Sequence, residues 1–272
     1  MNVRLPAQDT PRGAFSVLSW RVNAAVVAVL VVLSALAWRA TIDDAEAMRM
    51  MAMGLGHIGV LMPGMMSASW FLAMWATMMA AMMLPAVAPM ALAHRAVARK
   101  RGEGVLPTVA FVAAYFAVWA VVGVVPFVIY AAFMQVSEEA AHSRWLPALA
   151  GAILVAAGAY QFTGWKSVCL DKCKSPFAFI IEHDFDGGVA SALRAGAAHG
   201  AYCVGCCLPL FAVLLVVGLM NLLWMVAMFM IVLVERNWKH GLAVARAAGV
   251  ALVVLGLAMA AWPSVLFVVS GA

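Results

Sequence analysis

The chain has 272 residues, of which 67% are hydrophobic and only 11% charged. Ordinary soluble domains are about 45–50% apolar and about 25% charged. Disorder and a soluble globular enzyme are therefore excluded, and several apolar runs reach the roughly 20 residues that cross a bilayer. The net charge of +5 reads as basic residues in cytoplasmic loops, because no RNA- or DNA-binding pattern accompanies it.

Residues 1–17 form a polar tail with Arg4 and Arg12, and the first apolar run, about 18–38, is an uncleaved helix. A Met-rich loop, 39–66, follows on the outer side. The second helix spans about 67–92 and ends near Pro85 and Pro89, before a basic loop with His94, Arg95, Arg99, Lys100 and Arg101. Further helices are expected at about 106–134, 146–165, 196–218, 221–235 and 243–268, the last interrupted by Pro263. Between the fourth and fifth lies a polar loop, 166–195, carrying Cys169 and Cys173. The fold class is an all-α, polytopic transmembrane bundle of about seven helices. With the N-terminus inside and the C-terminus outside, only Arg39, Arg49 and Arg144 of the 17 basic residues fall on the outer side, as the positive-inside rule requires.

Methionine is over-represented, with 20 residues. Met48, Met50, Met51, Met53, Met62, Met65 and Met66 crowd the first outer loop beside His57. Thioether sulfur is soft, uncharged and suited to Cu(I), so this loop reads either as a Cu(I)-collecting surface or as an amphipathic interfacial segment. In the second helix Met74, Met78 and Met82 recur every four residues and form one stripe, with Met79 and Met83 beside it. The stripe is a sulfur-lined path if it faces the bundle interior, and apolar filler if it faces lipid or a packed core.

Five cysteines are present, Cys169, Cys173, Cys203, Cys206 and Cys207. An odd number on the cytoplasmic side favours free thiols or metal ligands over a disulfide framework. His199, Cys203 and Cys207 are four apart and share one helix face, with Cys206 next to it. Gly196 and Gly200 make a small-residue step that admits a neighbouring helix closely, and Pro209 kinks the helix and frees a carbonyl. The topology puts Cys169 and Cys173 on the same membrane side as this group. Thiolates with thioethers suit Cu(I) first and zinc second. The alternatives are a thiol–disulfide pair, Cys203 with Cys206 or Cys169 with Cys173, and inert buried cysteines. Gln161 and Asn221 read as polar glue between helices, and Glu235 as half of a local pair with Arg236 or Lys239. No catalytic triad, phosphate loop or carboxylate pair is present, so an enzyme is not expected.

Met74-Trp75 with Met78 to Pro85, Tyr160-Gln161 with Lys166, Cys169-Leu170 and Cys173, Cys203-Val204-Gly205-Cys206-Cys207, Gly218 to Met225, and Glu235 occur in that order. Over about residues 67–240 this set resembles a bacterial family of predicted metal-binding integral membrane proteins, a domain of unknown function sometimes labelled copper chaperone. The resemblance implies a multi-pass protein of the inner membrane. The expectation is a protein handling Cu(I), with Cys203, Cys206, Cys207, Cys169, Cys173, His199, Met74, Met78 and Met82 as candidate ligands. Its expected partners are the lipid bilayer and a copper-accepting protein. A membrane thiol–disulfide oxidoreductase and a structural subunit of a membrane complex are the alternatives.

Overall fold

A computed structural model describes residues 12–48, 67–135, 145–176, 179, 187–262 and 264–265. The regular elements among the described residues are helices: α1 (Arg12–Met48), α2 (Ala68–Lys100), α3 (Leu106–Val122), α4 (Val124–Gln135), α5 (Trp145–Tyr160), α6 (Gly164–Lys174), α7 (Gly188–Val217), α8 (Leu222–Asn237) and α9 (Gly241–Ala261). Five stretches are long and apolar enough to cross a membrane: Val22–Ala47, Ala68–Lys100, Leu106–Ala132, Gly188–Val217 and Gly241–Ala261. The pair α5 and α6, bent by 63°, makes a sixth if it is taken as one broken span. The segment expected at 221–235 is helical, but α8 has 16 residues, about 24 Å against an apolar layer of about 30 Å.

Several boundaries differ from the sequence expectation, each for a local reason. Residues 39–48 continue α1 rather than opening a loop, and Arg39 pairs with Asp43 one turn on at 3.1 Å. The remaining Met-rich stretch, 49–66, lies outside the described residues. The helix α2 runs through Pro85 and Pro89 to Lys100, so His94, Arg95, Arg99 and Lys100 are helical. Proline at 85 deprives the Ala81 carbonyl of its backbone donor. The Ser34 hydroxyl of α1 supplies a replacement at 2.9 Å.

The expected helix 106–134 is split at Gly123. A Cβ there would collide with the Trp75 indole, and Trp75 Nε1 donates to the Trp119 carbonyl at 2.9 Å. The tail of the fourth expected helix and the start of the 166–195 loop together form α6, begun where the Thr163 hydroxyl accepts from the Lys166 amide. The rest of that loop from Gly188 onward already belongs to α7. At the other end α9 stops at Ala261. Trp262, which precedes Pro263, is extended (φ −127°, ψ 94°), as the residue before a proline prefers.

The helix α7 is the axis of the bundle, packed by α3, α5 and α6, while α1 lies along α2. The close approach of α3 is made by the Gly196 and Gly200 step. A Cβ at Gly196 would meet the Phe111 carbonyl, and one at Gly200 would lie 3.2 Å from the Tyr115 carbonyl. The partner of this step is α3, not the methionine helix. The helices α5 and α9 meet in the same way, Gly158 over the Gly249 carbonyl and Gly151 over the Gly256 carbonyl. Met74, Met78, Met79, Met82 and Met83 are all buried in the central core. The stripe therefore faces the bundle interior, where α2 packs chiefly on α1 and α3.

Candidate metal centre

Four helices build the site. In α7, the 3.6-residue period brings His199, Cys203, Cys206 and Cys207 to the side facing the bundle interior, and all four are buried. The short α6 turns aside from α5 by 63° and lays Cys173 against them. The C-terminal turn of α8 delivers Glu235 and Arg236. From α3, held close by the glycine step, comes Tyr115.

The Sγ atoms of Cys173, Cys203 and Cys206 all lie within 4.8 Å of one another. The Cys206 Sγ is 3.7 Å from that of Cys173 and 3.2 Å from that of Cys207. The five cysteines are all unpaired thiols. Cys169, half-buried on α6, stands apart from the three-sulfur group, and its sulfur rests on the bare backbone of Gly205. His199 is not within the group either. Its ring is enclosed by Phe111, Tyr115 and Phe179 at centroid separations of 5.9, 5.6 and 5.3 Å.

Two positive side chains reach the site. Arg236 Nη1 donates to Cys203 Sγ at 3.2 Å and Nη2 approaches His199 Nε2 at 3.3 Å. Lys166 Nζ donates to the Cys206 carbonyl and to Glu235 Oε2, both at 2.7 Å. Glu235 thus pairs across 69 residues with Lys166 and not with its neighbour Arg236, contrary to the local pair expected. Consecutive helix residues point about 100° apart and do not face each other. Tyr115 Oη lies 3.1 Å from Cys203 Sγ. The Gly205 carbonyl, which loses its donor to Pro209, accepts from Tyr160 Oη at 2.8 Å. Gln161 bonds back to the Ala157 carbonyl of its own chain segment at 3.5 Å, and Asn221 caps α8 by accepting from the Trp224 amide.

Chemically, this is a water-excluded set of soft donors. Metal–sulfur bonds of about 2.3 Å place ligand sulfurs about 4 Å apart, close to the spacing seen here. A family model described as PpoB2, copper chaperone, matches residues 72–259. The chain belongs to this family. No curated protein and no solved structure matches. The PpoB2 match contains all five cysteines, His199 and the Met74, Met78 and Met82 stripe, and leaves 49–66 outside.

Sequence reasoning found the cysteines but missed Arg236, Tyr115 and the Lys166–Glu235 pair as parts of this centre. For Lys166 and Arg236 a signal existed, since charged residues at the ends of apolar helices are expensive unless they are used. Tyr115, one aromatic in an apolar helix, carried none.

Proposed function

We propose that the chain is an integral membrane protein that holds Cu(I) as cargo on Cys173, Cys203 and Cys206. The observation that carries this is the convergence of three buried sulfurs from two helices within 4.8 Å. Soft, polarisable sulfur in a dry pocket favours a soft monovalent ion over hard cations. Thiolate ligands bring negative charge, and the adjacent Arg236 guanidinium offsets it. The copper chaperone description of the family agrees.

In this reading the protein lies in the bacterial inner membrane with its N-terminus inside. It has seven spans when α5 and α8, of 16 residues each, are both counted, and α6 lies at the cytoplasmic end of α5, as the basic-residue asymmetry supports. The buried Met74, Met78 and Met82 would pass the ion towards the cysteines, and a cytoplasmic copper-accepting protein would receive it. The chain performs no bond chemistry of its own.

The test is anaerobic Cu(I) titration of the detergent-purified protein, read by elemental analysis and chelator competition. One tightly held equivalent in wild type, lost in Cys173→Ser, Cys203→Ser and Cys206→Ser, supports the proposal. Stoichiometric binding in all three variants refutes it.

A thiol–disulfide oxidoreductase is the second reading, favoured by the 3.7 Å between the sulfurs of Cys206 and Cys173. It requires a partner thiol to reach those sulfurs, and burial of both opposes this. It predicts thiols that cycle between free and paired without bound metal.

A further inference from the structure

We infer that Arg236 sets the metal selectivity of the cysteine site by occupying the lone pair through which His199 would join it. This rests on the copper reading above, and adds which ions the site turns away.

His199 and Cys203 lie four residues apart on one face of α7. Added to Cys173, Cys203 and Cys206, a histidine nitrogen would complete a Cys3His set, a standard tetrahedral zinc environment. The residues for a zinc site are thus all close by. What separates them is a guanidinium. Arg236 Nη1 is 3.2 Å from Cys203 Sγ and Nη2 is 3.3 Å from His199 Nε2, so the planar fork spans the gap between sulfur and imidazole.

Arginine has only donors. The His199 Nε2 facing it therefore accepts, and the lone pair it uses is the one a metal would take. The ring is not free to turn another edge to the sulfurs, because Phe111, Tyr115 and Phe179 pack around it. Nor does the guanidinium have a competing carboxylate within its own turn. The Glu235 side chain is engaged by Lys166. Cys207 adjoins Cys206 but falls outside the group whose sulfurs all lie within 4.8 Å of one another, so that group is left with three sulfurs and no nitrogen.

Both consequences act in one direction. Zn(II) prefers four ligands, whereas a soft all-sulfur set of three suits Cu(I). The fixed positive charge beside Cys203 also repels a divalent ion twice as strongly as a monovalent one at the same distance.

The experiment compares wild type, R236M, R236K and the double variant R236M/H199Q in detergent. Zn(II) and Cu(I) affinities are measured by chelator competition under anaerobic conditions, with Co(II) absorption as a spectroscopic probe of tetrahedral coordination. In wild type, Cu(I) is preferred and Co(II) gives no tetrahedral thiolate spectrum. In R236M the Zn(II)-to-Cu(I) preference shifts towards zinc by about 10-fold or more, the size of effect that groups contacting metal ligands commonly exert. A tetrahedral Co(II) spectrum appears with it. Adding H199Q removes both gains. R236K keeps the charge but loses the planar fork, so it gains part of the zinc affinity, and it decides the matter alone if R236M does not fold. An unchanged preference in R236M or, failing its folding, in R236K overturns the inference, as does a zinc gain that survives H199Q. Failure of wild type to bind Cu(I) is a different result, which removes the copper site itself and the inference with it.

Discussion

Lys166 Nζ and Glu235 Oε2 stand 2.7 Å apart, with both side chains closed off from solvent. The pair ties α6 to α8, and the second Lys166 bond, to the Cys206 carbonyl, ties α6 to α7. Cys173 is thereby fixed opposite Cys203 and Cys206. Removing one partner of a buried pair leaves an uncompensated charge, at a cost of about 3–5 kcal/mol. Lys166→Met and Glu235→Leu are each expected to lower the thermal midpoint in detergent markedly. The K166M/E235L double variant should lose less than the sum of the single changes. Strictly additive losses would contradict the pairing.

Gly196 fixes a second distance in the site. An added methyl there meets the Phe111 carbonyl and lies 3.0 Å from the Phe111 Cα, both backbone atoms that cannot swing aside. Gly196→Ala is expected to push α3 away from α7, to destabilise by about 1–3 kcal/mol, and to draw Tyr115 off Cys203. Gly104→Ala is the control, because its added methyl meets nothing within 4 Å and should change stability by less than about 0.5 kcal/mol. Thermal unfolding of both variants, with Cu(I) stoichiometry, checks the contrast.

Helices long and apolar enough to cross a membrane were legible in the long apolar runs, and so was the α7 cysteine face, since both depend only on composition and helical period. The convergence of Cys173 with that face was legible only through topology. What stayed hidden depends on contacts distant in sequence. Residues 166–174 are polar enough to read as a loop, and they join α6 because Thr163 caps that helix and Lys166 finds buried partners 40 and 69 residues away. Pro85 reads as a helix end, yet the helix continues because a neighbouring helix supplies the lost donor. Arg236 beside Glu235 reads as a neutral pair on a string of letters. On a helix the two side chains diverge, and one of them turns into the cysteine cluster.

The two proline replacements make a further prediction. Ser34→Ala strands the Ala81 carbonyl and Tyr160→Phe strands that of Gly205. Interhelical hydrogen bonds in membrane bundles contribute about 0.6 kcal/mol on average and up to about 1.7 kcal/mol. Each variant should therefore remain folded with a small fall in thermal midpoint. Tyr160→Phe should also loosen Cu(I) retention, because Gly205 sits between Cys203 and Cys206; Ser34→Ala, whose bond joins α1 to α2 and touches no cysteine, should not. Equal effects of the two on Cu(I) retention would argue against a local role for the Tyr160 bond.

Thiol labelling separates the three-sulfur group from the rest. Cys169 is half-buried, whereas Cys173, Cys203, Cys206 and Cys207 are enclosed, and alkylation requires access to the thiolate. A small uncharged maleimide should modify one cysteine per folded chain, identified by mass spectrometry as Cys169, with the other four reacting only after denaturation. Loading with Cu(I) should then slow the labelling of Cys173, Cys203 and Cys206 under partial denaturation, because a ligand that binds only the folded site stabilises it. It should leave the rate at Cys169 unchanged, since that sulfur rests on Gly205 and stands outside the group. Protection of Cys169 to the same degree as Cys203 would mean that α6 turns to offer both of its thiols to the ion, and the three-sulfur assignment would give way to a four-sulfur one.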